Sequence, residues 1–164
     1  MPATYEPIAT TTLGSAASTI TFSSIGSGYT DLRLVLVTRD ASGSIIRLRF
    51  NSDTATNYSR TNLSGNGTTA SSSVTTSANN ISIGFGITTA NVWGFYTMDI
   101  FSYAASTNKT CLVTASEDEN GSGTVSRRVG LWRSTAAITA IELSATSGTF
   151  ASGSTATLYG ILKA

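Results

Sequence analysis

Ile46-Arg47-Leu48-Arg49-Phe50 is the stretch that decides the fold, because it alternates apolar and charged residues with a period of two. Successive side chains of a β-strand point to opposite faces, so Ile46, Leu48 and Phe50 line a core while Arg47 and Arg49 face outward. The same rhythm recurs on either side of it. Upstream, Ile20 and Phe22 alternate, and Leu32, Leu34 and Leu36 share one face of the run 32–37. Downstream, strand-like runs occupy 81–85, 93–101, 111–114, 125–132, 138–143 and 157–161, with turn formers such as Asn120-Gly121-Ser122-Gly123 between them.

No segment carries a convincing helical period. Eight to ten short strands with frequent turns predict an all-β fold, an antiparallel β-sandwich of jelly-roll type, with an up-and-down barrel as the alternative. Residues 1–17 precede the first alternating run and are expected as an N-terminal arm, leaving 18–164 as a single sandwich domain. Within it, 51–78 is nearly devoid of large aliphatics apart from Leu63 and Val74 and is rich in Asn, Gly, Ser and Thr. It reads as a long surface excursion with one or two short strands, the kind of segment that carries binding function.

Composition narrows the function. Of 164 residues only 12% are charged, against about 25% in ordinary soluble domains. Ser and Thr, about a third of the chain, supply the polarity instead. Ten basic and nine acidic residues leave no field to steer a polyanion, so neither nucleic acid nor an anionic membrane is an expected partner. So little charge also gives little colloidal repulsion, which suits a chain that sits in an assembly. The first residues lack the basic and apolar regions of a signal peptide, and synthesis in a cytoplasm is expected.

Chemistry is sparse. The chain has no histidine, which removes the usual general base near neutral pH and most transition-metal sites. Asp99 and Glu142 are the carboxylate pair a glycosidase would need, but each lies in a strand run and is expected to face outward or pair with an arginine. Glu117-Asp118-Glu119-Asn120-Gly121 does not have the ligand spacing of a known calcium loop and reads as a solvated hairpin tip. Cys111, the single cysteine, reads as a buried, inert thiol. The aromatics Trp93, Phe95, Tyr96, Phe101, Tyr103 and Trp132 offer a sugar-stacking platform. Trp93, Phe95 and Phe101 share a strand parity, however, and are expected in the core. No enzyme activity and no cofactor is expected.

The ends of the chain add a resemblance. Tyr5-Glu6-Pro7-Ile8-Ala9-Thr10, then 20–25 and Tyr29-Thr30-Asp31-Leu32, resembles the opening of small virion proteins of tailed phages. The close is similar as well, in 132–141 and 150–161, and so is the central element Arg49-Phe50-Asn51-Ser52-Asp53 through Asn57-Tyr58-Ser59. The resemblance implies a virion structural protein, made in the host bacterial cytoplasm. Its expected role is capsid decoration (cement), with the major capsid protein or other virion proteins as partners; copies of the chain are expected to join as a homotrimer or another cyclic oligomer, the threefold because capsid lattices offer threefold axes. The alternative it implies is a receptor- or glycan-binding module of a tail fibre, with a host surface glycan as ligand. Expected assembly contacts are Tyr5, Pro7 and Ile8 of the arm, and Arg127, Arg128 and Arg133, which favour inter-subunit salt bridges over an anion site.

Overall fold

The computed structural model describes residues 4–39, 44–84 and 92–162, which hold twelve strands in two antiparallel sheets. In chain order they are β1 (Tyr5–Thr12), β2 (Thr19–Phe22), β3 (Asp31–Thr38), β4 (Ile46–Phe50), β5 (Tyr58–Gly65) and β6 (Ala70–Ala78). They continue with β7 (Ile81–Ser82), β8 (Gly94–Phe101), β9 (Lys109–Asp118), β10 (Gly123–Trp132), β11 (Ile141–Ala145) and β12 (Thr155–Ile161). The large sheet runs β1-β12-β3-β8-β9-β10-β5-β6 and the small one β2-β11-β4-β7. Twelve strands exceed the eight to ten expected. Nine fall on the runs read from the sequence; β5 and β6 lie in the hydroxyl-rich 51–78 stretch, where one or two short strands are expected, and β1 in the supposed arm, none of the three with apolar alternation.

The sandwich expectation holds. A jelly roll is one connectivity among several for two such sheets, and this chain divides them eight to four with β8, β9 and β10 as a consecutive meander. The deciding strand behaves as read: Ile46, Leu48 and Phe50 are buried, with Arg47 and Arg49 on the outer side. Leu48 lies between Leu143 of β11 and Ile81 of β7. From the facing sheet, Leu32, Leu34 and Leu36 of β3 enter the same core, beside Ile100, Met98 and Tyr96 of β8.

That register corrects the expected face of β8. Trp93, Phe95 and Phe101 are all more than two-fifths exposed, whereas Tyr96, Met98 and Ile100 are fully buried. The strand carries rings on both faces. Its neighbours settle the choice, because Leu36, Leu34 and Leu32 on one side and Ala115, Val113 and Cys111 on the other demand the Tyr96 parity. In β10 the outcome is similar: Val125 and Val129 point out, and Ser126, Arg128, Gly130 and Trp132 point in.

The N-terminal arm is also corrected. Tyr5–Thr12 is an edge strand paired with β12 from Tyr5↔Ile161 to Thr12↔Thr155, with a register break between Pro7 and Ala9. Pro7 lacks the amide donor a central strand requires, and the edge is where it is tolerated. Ile8 packs against the core. Deleting 1–8 would therefore remove half of a strand instead of a loose tether.

The sequence elements that carry the resemblance meet in space. Tyr29 folds over β12, its hydroxyl donating to Glu6 at 3.4 Å, while Thr30 N–H donates to Ile161 O at 2.8 Å. A Cβ on Gly160 would lie 2.3 Å from the Tyr29 ring, so only glycine fits beneath it. Gly160→Ala should cost about 1–3 kcal/mol by overpacking, and at about 2–4 °C per kcal/mol for a domain of this size the loss is readable in a thermal melt. An unchanged midpoint would contradict this placement of Tyr29.

The central and closing elements are joined in the same way. Asn51, at φ 51°, donates from Nδ2 to Ala137 O at 2.8 Å and accepts on Oδ1 from the backbone of Thr139 and Ala140. Trp132 Nε1 donates to Asp53 Oδ2 at 2.7 Å, and the Trp132 ring stacks on Tyr58 and packs on Phe50. The hydrogen bonds from Asn57 and Trp132 hold the Asp53 carboxyl below its ordinary range.

Candidate binding and assembly surfaces

Cross-strand register puts the outer face of the large sheet in rows. One row runs Val74, Thr61, Val129, Leu112, Asp99, Arg33, Tyr159 and Pro7; the next runs Ser72, Leu63, Arg127, Thr114, Thr97, Val35, Thr157 and Thr10. No other described element forms a layer on this face. It exposes Tyr5, Leu63, Val74, Phe95, Phe101, Val125 and Val129, and its charges are few. Arg33 and Asp99 pair with each other at 3.5 Å, and Arg127 is exposed.

Of the three arginines expected to meet neighbours, Arg127 alone points freely outward. Arg128 is a correction: it is 4% exposed, and its guanidinium lies between the sheets. Nε donates to Asn62 Oδ1 at 2.9 Å, and Nη1 to Ser82 O and Oγ at 2.9 Å and Gly84 O at 3.2 Å. Burial pushes its pKa down to about 10. Arg133 is exposed, but its Nη2 donates to the carbonyls of Thr56, Tyr58 and Thr76, stapling the β5–β6 hairpin. Tyr5 and Pro7 are exposed on the edge strand, and the Tyr5 hydroxyl accepts from Arg33 at 3.5 Å.

At one end of the large sheet, the β5–β6 turn (Asn66, Gly67) and the β9–β10 turn (Gly121) rise on either side of a groove of about 580 Å³. Trp93 and Phe95 line it together with Asp118 and Val125. The Arg39 guanidinium sits 5.4 Å from the Trp93 ring centroid. Asp118 Oδ1 accepts from Gly121 N–H at 2.6 Å, which shapes the tip. Glu117 departs from the solvated reading: it is 7% exposed and accepts from the Tyr96 hydroxyl at 2.6 Å. Phe85, read as part of the Ile81 strand, lies outside the described residues.

The remaining candidates are placed as follows. Asp99 and Glu142 lie on outer faces of different sheets, Glu142 3.6 Å from Arg49. Cys111 is buried, and desolvation pushes its thiol up to about 12. Lys109 is fully buried, with its ammonium donating to the Ala105, Thr107 and Ser134 carbonyls. Among the described residues no three His, Cys, Asp or Glu side chains are gathered as for a metal ion.

The fold and these surfaces define an antiparallel β-sandwich with one uncovered eight-stranded face and an aromatic groove at its end. Comparison with protein-family models, curated proteins and solved structures finds no match for the chain.

Proposed function

We propose that this chain is a structural subunit of a phage virion, a decoration (cement) protein that binds the capsid exterior through the outer face of its eight-stranded sheet. The observation that carries the reading is that face: seven large exposed apolar side chains on one sheet face with few charges, in a chain whose sequence elements resemble small virion proteins. The partner is the major capsid protein or another virion protein, together with copies of this chain. The action is mass action, since a subunit that binds only the assembled lattice stabilises it by its binding free energy. Leu63→Glu with Val129→Glu sets two carboxylates on this face without touching the core. Particle occupancy should fall at least about tenfold, because an unpaired charge trapped at an interface costs several kcal/mol. The melting temperature should hold. Undiminished occupancy would refute docking through this face.

The groove supports a second reading, a glycan-binding module of a tail fibre. Trp93 and Phe95 stand exposed beside Asn66 and Asp118, which pairs ring faces for a pyranose with amide and carboxylate groups for its hydroxyls. On this reading a glycan array gives saturable binding that Trp93→Ala and Phe95→Ala abolish. Binding that survives both changes, or no binding at all, removes it.

A further inference from the structure

Four strands end the two sheets, and three of them are blunted against pairing. β2 has four residues and β7 two, while β1 carries Pro7 and a register break. β6 is different. Its nine residues, Ala70-Ser71-Ser72-Ser73-Val74-Thr75-Thr76-Ser77-Ala78, contain no charge, proline or glycine, and Ala70–Val74 are exposed on both faces. Its own register break falls opposite Ser59, between Thr75 and Ala78, where Arg133 covers the Thr76 carbonyl. The stretch 70–74 keeps an unbroken register with β5 and is exposed.

The hairpin also fixes which backbone groups look outward. Asn66 N–H donates to Thr69 O, so that pair is hydrogen-bonded, and bonded pairs alternate along an antiparallel ladder. Ser71 and Ser73 therefore bond to β5, and Ala70, Ser72 and Val74 direct their N–H and C=O groups away from it. Among the described residues no strand receives them.

We propose that β6 pairs antiparallel with β6 of a second copy, about a twofold axis at Ser72. This rests on the assembly reading above and specifies how copies join. The register sets Ser72 opposite Ser72 and Ala70 opposite Val74 of the mate, with both bonds exchanged at each pair. Identical edges suit a second copy because no like charges meet, and the side chains brought together are small. Val74, 66% exposed in the single chain, gains a neighbour. The two large sheets become one continuous sheet, with the uncovered faces of both copies on the same side. The product is a twofold pair, in place of the threefold expected from lattice symmetry alone.

Residues facing each other in a bonded antiparallel pair have Cα atoms about 5.5 Å apart, within disulfide reach. Ser72→Cys should therefore cross-link to a covalent dimer under mild oxidant, while Ser73→Cys, one residue out of register, should not. Cys111 is buried and contributes no background. Light scattering of the unmodified protein, without particles, should give twice the chain mass. Ser72→Lys, which sets two ammonium groups face to face, should raise the dissociation constant at least about tenfold at unchanged melting temperature. A single-chain mass at about 100 μM, or equal cross-linking at positions 72 and 73, would overturn the proposal. Ser72 also lies on the outer face, so the docking face is read separately in the Leu63→Glu, Val129→Glu variant: it should keep twice the chain mass in solution while losing particle occupancy, and failure of the pairing and failure of the virion reading are thereby distinguishable.

Discussion

Leu48→Asp should leave the chain unfolded at room temperature, with the cooperative melt gone and near-ultraviolet circular dichroism lost. Leu48 is fully buried between Leu143 and Ile81, in the one cluster to which both sheets contribute. No described cation faces that position. An aspartate there loses the leucine's burial, about 2 kcal/mol or more, and must be either charged or protonated without a partner, a further cost of several kcal/mol. The sum approaches the whole stability of an ordinary domain, about 5–15 kcal/mol. Arg47→Asp, one residue away on the outer side, should shift the midpoint by only a few degrees. Equal stability of the two variants would mean that the faces of β4 are reversed.

A second pair of neighbours gives the next largest contrast. Arg128→Met should destabilise the domain by at least about 1–3 kcal/mol, the cost of leaving even one buried acceptor unsatisfied. The methionine leaves the Asn62 amide oxygen and the carbonyls of Ser82 and Gly84 without their donor. Arg127→Met should stay within about 0.5 kcal/mol, as exposed substitutions usually do. Denaturant midpoints at equal slope measure both. If the two changes cost the same, the guanidinium of Arg128 is not held between the sheets.

What is legible in the sequence follows from where alternation is clean. In β4 one parity is wholly apolar and the other carries both arginines, and in β3 Leu32, Leu34 and Leu36 alternate with Asp31, Arg33 and Val35, so the residue pattern alone assigns both faces. β8 offers rings on both parities, and only the partners in β3 and β9 decide between them; such long-range pairing leaves no local trace. β10 misleads more strongly, because the small sheet ends at β7 and the inner row of β10 beyond it is polar. A Cβ on Gly130 would lie 2.7 Å from Ile81 and from Cys111, so that row also includes a point where the packing admits only glycine. Parity does place Ser126, Arg128 and Gly130 with Trp132, and that is the available cue to a buried arginine. β6 is hidden by hydroxyls, since a strand exposed to water on both faces needs no apolar period, and in β5 the buried parity after Tyr58 is polar, Asn62 and Ser64.

The resembling elements are strand and turn sequences without chemistry, and their contacts give them a physical role. Tyr29 over Gly160, Asn51 on 137–140 and Asp53 on Trp132 each tie segments far apart in the chain. They fix how the sandwich closes. The groove lining is half visible in the sequence: Trp93 and Phe95 stand out as platform candidates, but the strand parity that assigns them to the core conceals their place beside the hairpin tips.

A cryo-electron map of the intact particle should show whether this sandwich lies on a phage head with the outer face of its large sheet against the shell. Ordered copies are expected on the capsid exterior, each with Leu63, Val129 and Phe101 buried against the lattice. Copies found only at the tail tip, or on the head with that face turned to solvent, would contradict that placement.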